Sequence, residues 1–228
     1  MRRLVAALGA LCLLGACTSE GSSAFERLGP VAKDLILGEE ETEAEAPPEI
    51  TRAVLDQIPY ATISVQVGEL PRAFVVAVSD NAGNVVYQDP TRRSMVMKGG
   101  LLSATHGLGY NLSAVKHQAD DPVVSARPVA DWPELITRSY QLSLANRDDY
   151  AITVRCRYQP VARETIEIVE LTFDLLRIEE TCANGTRTFT NTYWAETETG
   201  FIWKSLQWIG PRHDLYAIEI VRPYRKTS

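Results

Sequence analysis

The stretch that decides the fold is Tyr150-Ala151-Ile152-Thr153-Val154-Arg155-Cys156-Arg157-Tyr158, in which Tyr150, Ile152, Val154, Cys156 and Tyr158 alternate with Thr153, Arg155 and Arg157. A period of two places one set of side chains on each face of an extended strand, so this segment has one buried and one wet face. Working outward, Tyr140, Leu142 and Leu144 alternate in the same way. Glu164 to Glu180 alternates too, but its apolar set changes phase at Ile168-Val169, which predicts a bulge. Asn184-Gly185 is a strong two-residue hairpin signal before Thr186 to Ala195. Glu198-Thr199-Gly200 turns into Phe201 to Trp208, and Leu215 to Val221 closes the chain. The first half carries Thr62 to Val67, Ala73 to Val78, a turn at Asp80 to Asn84 and Val85 to Tyr87. Ser94 to Met97 and Leu101-Leu102 then flank Gly99-Gly100, and an Asp- and Pro-rich loop runs from His117 to Pro133. Glu49 to Gln57 reads as a short helix stopped before Pro59. Strands joined by short turns with no helices between them predict a mainly β fold. The expected architecture is an antiparallel meander forming a β-sandwich or a coiled, barrel-like sheet.

The N-terminus reads as an address. Arg2 and Arg3 precede an apolar run from Leu4 to Leu14, then Leu14-Gly15-Ala16-Cys17. A basic start, a short apolar core and small residues before a cleavage point make a secretory signal, too short for a spanning helix. A cysteine directly after Leu-Gly-Ala matches a bacterial lipobox, in which the Cys17 thiol takes lipid as a thioether. An ordinary signal peptide with an incidental cysteine is the alternative. Two or more acyl chains hold a protein stably on a membrane. Thr18, rather than an Asp, after Cys17 favours the outer membrane over the inner one by similarity to Gram-negative sorting.

The division that follows is a lipoprotein signal over 1–16, a lipidated, flexible acidic tether over 17–48 and a single periplasmic β-rich domain over 49–228. The run Glu39-Glu40-Glu41-Thr42-Glu43-Ala44-Glu45 has no large apolar group, so it cannot offset chain entropy by burial. A flexible coil of about 30 residues spans roughly 30 Å, which lets the folded part stand clear of lipid headgroups. The chain is 45% hydrophobic with a net charge of −6, and loss of Arg2 and Arg3 leaves 21 basic against 29 acidic residues. That sign argues against nucleic acid as a partner.

Of four cysteines, Cys12 leaves with the signal and Cys17 takes lipid. Cys156 and Cys182 remain as an even pair in an oxidising compartment, on neighbouring strands of the meander, where a disulfide fits; two buried free thiols are the alternative. No phosphate loop, zinc-protease helix or nucleophile elbow is present, and the three histidines, His106, His117 and His213, are scattered. No metal and no cofactor is expected. Ser113-Ala114-Val115-Lys116, Ser79-Asp80-Asn81 and Lys226-Thr227-Ser228 imitate the motifs of penicillin-recognising enzymes, but in the wrong order and context. Three of the four tryptophans fall between Asn191 and Pro211. Alternation places Phe201, Trp203, Ser205 and Gln207 on one face and Ile202, Lys204, Leu206 and Trp208 on the other. Asn191, Tyr193, Trp194, Trp203, Lys204, Gln207 and Trp208 are therefore the candidate contacts for a sugar or a partner protein, with core packing as the competing role of the indoles.

These features resemble the YjbF/GfcB family of outer-membrane lipoproteins, associated with exopolysaccharide and group 4 capsule production. The resemblance rests on the lipobox, Gly99-Gly100 leading into Thr105-His106-Gly107-Leu108, and Asn111-Leu112. It continues through Cys156, Glu180-Thr181-Cys182, the run Asn191 to Pro211 and Ile218-Glu219, covering most of 50–222. It implies a β-rich periplasmic domain and, as partners, an outer-membrane barrel secretion protein or the polysaccharide; no catalytic residues come with it. The expected function is a non-catalytic accessory in exopolysaccharide or capsule secretion, lipid-anchored at the periplasmic face of the outer membrane. The alternatives are a glycan hydrolase using two carboxylates among Glu180, Glu196 and Glu219, and a purely structural envelope lipoprotein.

Overall fold

The computed structural model describes residues 50–144 and 147–225; the signal, Cys17 and the acidic tether lie outside that range. One helix, α1 (Arg52–Asp56), precedes twelve strands. These are β1 (Thr62–Val67), β2 (Ala73–Asn81), β3 (Asn84–Gln88), β4 (Ser94–Lys98), β5 (Leu101–His106) and β6 (Asn111–Lys116). They continue with β7 (Leu135–Leu144), β8 (Arg147–Ile168), β9 (Leu171–Ala183), β10 (Thr188–Ala195), β11 (Ile202–Gln207) and β12 (Tyr216–Arg222). All pair antiparallel in the order β5-β4-β3-β2-β1-β12-β11-β10-β9-β8-β7-β6. The first and last strands, β1 and β12, pair with one another in the middle of the sheet. The outermost strands β5 and β6 come together across a seam where the Leu112 N–H donates to Thr105 Oγ1 at 2.9 Å. Of the two architectures expected, the barrel-like one is found.

Twelve strands enclose more volume than wall side chains alone fill. The Asp- and Pro-rich loop between β6 and β7 supplies the rest. Its Val123 and Val129 lie in the same core as Ile63, Tyr87, Leu101, Tyr140 and Ile178. The Gly100 N–H donates to the Val123 carbonyl at 2.8 Å, and the Val129 N–H to the Thr197 carbonyl at 2.9 Å. Two glycines admit this plug. A Cβ at Gly99 would collide with the Val123 and Val124 carbonyls and one at Gly200 with the Arg127 carbonyl, and both have positive φ, +58° and +69°.

The strands β8 and β9 outrun their neighbours. β7 accompanies β8 only as far as Arg157, and β10 joins β9 only from Leu176. The remainder forms a two-stranded arm, with a register shift at Pro160/Ala162. At Ile168-Val169 the structure has no bulge: β8 ends there and a two-residue turn, Val169-Glu170, leads into β9. Both turn residues have positive φ, 43° and 64°. Left-handed backbone at a β-branched residue costs on the order of 1–3 kcal/mol, and no Gly or Asn announced it. The compensation is tertiary. Ile168 is buried with Leu55 and Ile58 of the α1 region, Phe74, Val76 and Val221, each worth about 1.5–3 kcal/mol. The Arg52 guanidinium donates to the carbonyls of Ile168, Val169 and Val221, tying the tip to β12. α1 itself starts where Thr51 Oγ1 accepts from the Val54 N–H.

Cys156 and Cys182 are directly opposed on β8 and β9, buried and bridged. The bridge closes a loop with a sequence separation of 26. Replacing both cysteines by alanine is expected to lower the unfolding free energy by about 3 kcal/mol. Urea denaturation checks this, and a midpoint identical to the parent's would contradict it.

Candidate functional site

Inside the barrel, the inward positions of β7 are Ile136, Arg138, Tyr140 and Leu142, all buried. A guanidinium among them must find every donor a partner. Arg138 Nε donates to Asp121 Oδ2 at 2.6 Å and Nη2 to Asp121 Oδ1 at 2.8 Å. Nη1 donates to Glu180 Oε2 at 2.7 Å, and Nη2 also to the Tyr158 hydroxyl at 2.8 Å. Glu180 Oε2 further accepts from Asn191 Nδ2 at 2.8 Å and the Tyr193 hydroxyl at 3.0 Å. Asp121 belongs to the plug, Glu180 to β9, and Asn191 and Tyr193 to β10, so the cluster stitches the plug to the wall. Burial alone would push the Arg138 guanidinium toward neutrality; the Glu180 charge and the Asp121 hydrogen bond outweigh it and hold the cation firmly. Removing one partner of such a pair costs about 3–5 kcal/mol, because the other charge is left unpaired. Glu180 Oε1 and the Tyr140 hydroxyl, both buried, have no hydrogen-bond partner among the described residues. The Cys156 and Cys182 sulfurs lie beside Glu180 at metal-ligand spacing; bonded to one another, they offer no thiolate to a cation.

The aromatic hairpin is divided by the barrel wall. Asn191, Tyr193 and Gln207 point inward and are buried, at 1%, 0% and 2% exposure. Gln207 Oε1 accepts from the Leu102 N–H at 2.9 Å, and its Nε2 donates to the Gly100 carbonyl at 2.8 Å and to Ser205 Oγ at 2.9 Å. Trp208 stacks on Phe189 at 4.1 Å and meets Tyr140 edge-on at 5.3 Å, while its backbone N–H donates to Asn191 Oδ1. A glycan outside the barrel cannot reach Asn191, Tyr193 or Gln207, whereas Trp208 is half-buried against the core.

Trp194, Trp203 and Lys204 lie on the outer wall. Trp194 Nε1 donates to Glu164 Oε2 at 2.7 Å, and the Lys204 ammonium sits 5.5 Å above its ring. Trp203 Nε1 donates to Glu196 Oε1 at 2.8 Å while its ring packs on Phe173 of the arm at 4.3 Å. Strict alternation fails here because the register shifts between Trp194 and Ala195. Ile202 consequently joins the inner core, Trp203 the outer one and Ser205 the inner polar row.

The acids nominated for hydrolysis do not face one another. Glu180 is inside. Glu219 is buried on the outer side between Arg72 at 2.8 Å and Lys204 at 2.9 Å, with Ser64 Oγ donating at 3.2 Å. Glu196 occupies a turn, engaged by Trp203 and Thr199. His117 and His213 make isolated contacts, to the Gln118 and Tyr110 carbonyls. Ser113 and Lys116 are exposed on β6, with no helix to present them.

Sequence reasoning missed Arg138 and Asp121, yet the signal was present. Arg138 sits in phase with Ile136, Tyr140 and Leu142, and Glu180 in phase with Ile178 and Cys182. A charged residue at an inward position demands a buried counter-charge.

The model of the family described as group 4 capsule polysaccharide lipoprotein GfcB, YjbF matches residues 24–221. The crystal structure of the hypothetical lipoprotein YmcC from Escherichia coli K12 shares the fold with a TM-score of 0.69. That alignment covers 93% of this chain and 100% of the other at 19% identity. Comparison with curated proteins gives no match.

The buried phenols set an alkaline limit on the cluster. Burial pushes Tyr140 up to about 12 against the opposing pull of Arg138, and likewise raises Tyr87 and Tyr216 to about 12. Burial and then the Glu180 charge push Tyr193 and Tyr158 well above their ordinary 10.0. Because the folded values exceed the unfolded one, stability is complete below about pH 10 and falls as pH rises toward 12, by about 1.4 kcal/mol per pH unit for each such phenol. Absorbance titration is expected to show these tyrosines ionising together with unfolding. Ionisation of all nine tyrosines near pH 10 with the fold intact would contradict the buried cluster.

Proposed function

The chain belongs to the group 4 capsule polysaccharide lipoprotein family, and from that premise we propose that it is a non-catalytic accessory in the secretion or assembly of an exopolysaccharide or capsule. The single observation that carries this reading is the family match over residues 24–221. The site geometry supports it. A barrel whose lumen is occupied by its own loop, and whose strongest charges are spent on one another, suits a rigid body that holds something rather than transforms it. Glu180, Glu196 and Glu219 lack the facing arrangement across a cleft that two-carboxylate hydrolysis needs.

In this reading Cys17 carries the lipid and the chain sits at the periplasmic face of the outer membrane. The tether over 17–48 gives the domain reach, and its partner is an outer-membrane barrel secretion protein, the polysaccharide, or both. None of the helices among the described residues is long and apolar enough to cross a membrane; in this reading the lipid on Cys17 is the anchor. The half-buried outer-wall group of Trp203 and Lys204 is the part of the aromatic hairpin available to such a partner.

Two strains test this. Deleting the gene is expected to reduce extracellular polysaccharide, and Cys17→Ser is expected to release the protein from the membrane fraction and lower export with it. Normal polysaccharide in the deletion strain would overturn the role, and envelope retention of the serine variant would overturn the anchor.

A further inference from the structure

A concavity of about 650 Å³ lies elsewhere, on the outer face of β7, β8 and β9. Leu135, Thr153, Arg155, Arg157, Thr181 and Asn184 line it. These are the wet-face counterparts of the inward row Val154, Cys156 and Tyr158, and the disulfide behind them fixes the two strands that form its floor. We propose that this groove binds an acidic polysaccharide through its carboxylate or phosphate groups.

The inference rests on the glycan reading of the function and names the substrate class. Its first support is charge. The charged lining residues are both arginines in a chain of net charge −6. Beyond roughly 8–10 Å salt screens the acidic remainder, so an anion in the groove feels mainly the guanidiniums. Spacing is the second support. Residues 155 and 157 on one strand face are about 6.6 Å apart, a distance at which two planar forks engage successive anionic groups of an extended chain.

The lining also holds hydroxyl and amide donors, and it contains no aromatic platform, so neutral sugars have nothing to stack on. The nearby acids do not block it. Glu134 pairs with Arg157, but both side chains are open to solvent, at 76% and 59% exposure; an exposed pair of this kind is readily exchanged for a ligand anion. Glu179, further down β9, is held by Arg177 at 3.1 Å.

Calorimetric titration of the detergent-solubilised full-length protein with polygalacturonate oligomers tests the proposal. Binding is expected, weakening as salt is raised, whereas neutral dextran oligomers give none. Arg155→Ala with Arg157→Ala is expected to weaken polygalacturonate by about tenfold or more, and Glu134→Gln to strengthen it. The substituted side chains are exposed, so an unchanged melting temperature verifies the fold. Parental affinity in the arginine variant, or no binding by the parent, overturns the groove. Equal binding of poly-glutamate overturns the glycan and makes this a dock for an acidic protein. Those failures leave the accessory role standing, because the export phenotype of the deletion strain judges it independently.

Discussion

A guanidinium sealed from water needs all its donors satisfied by the protein, and Arg138 finds acceptors on three separate segments. Asp121 comes from the plug, Tyr158 from β8 and Glu180 from β9. Two carboxylates and one cation cannot be assembled in an apolar interior piecemeal, since each incomplete stage leaves a buried charge exposed to the full desolvation penalty. The cluster thus makes plug insertion and closure of the β7–β10 wall conditional on one another. Apolar burial supplies the bulk of the driving force, but it does not by itself dictate which loop fills the lumen. The Arg138 cluster does.

The remaining features follow from that closure. A meander of twelve strands has two edges, and curling of the wall brings β5 and β6 side by side rather than leaving them as distant open edges. The Thr105 hydroxyl and the Gln207 amide supply acceptors there for the N–H groups of Leu112 and Leu102. Outside the barrel, a second and smaller core forms where the β8–β9 arm folds back over β1, β2 and β12 with α1 beneath it. The domain is therefore armoured on one flank, while on the β7–β9 flank Thr153, Arg155, Thr181 and the Arg157–Glu134 pair face solvent.

Much of the fold was legible because alternation is a local signal. The strand Tyr150 to Tyr158, the turn at Asn184-Gly185 and the short helix before Pro59 each carried their own instructions. The turn at Val169-Glu170 did not. Its conformation is enforced by Arg52 and by burial of Ile168, both distant in sequence, so the phase change read as a bulge. The Trp194/Ala195 register shift similarly reversed the facing expected of Ile202 and Trp203. The aromatic run has the residue types of a contact surface, yet Tyr193, Gln207 and Trp208 face inward, and indoles alone do not say which side of a wall they occupy. The Asp121–Arg138 contact joins a loop to a strand and carried no pattern of its own; only the inward phase of Arg138 hinted that a partner had to exist.

The plug is the element whose attachment matters most, and amide hydrogen exchange in Asp121→Asn reports it directly. With the carboxylate gone and the side-chain volume kept, the amides of Gly100, Val123 and Val129 are expected to exchange far faster than in the parent, while those at the centres of β8 and β9 keep their protection. Unchanged protection at Val123 and Gly100 would mean that the loop is held by apolar packing alone and that the buried ion cluster is incidental to closure.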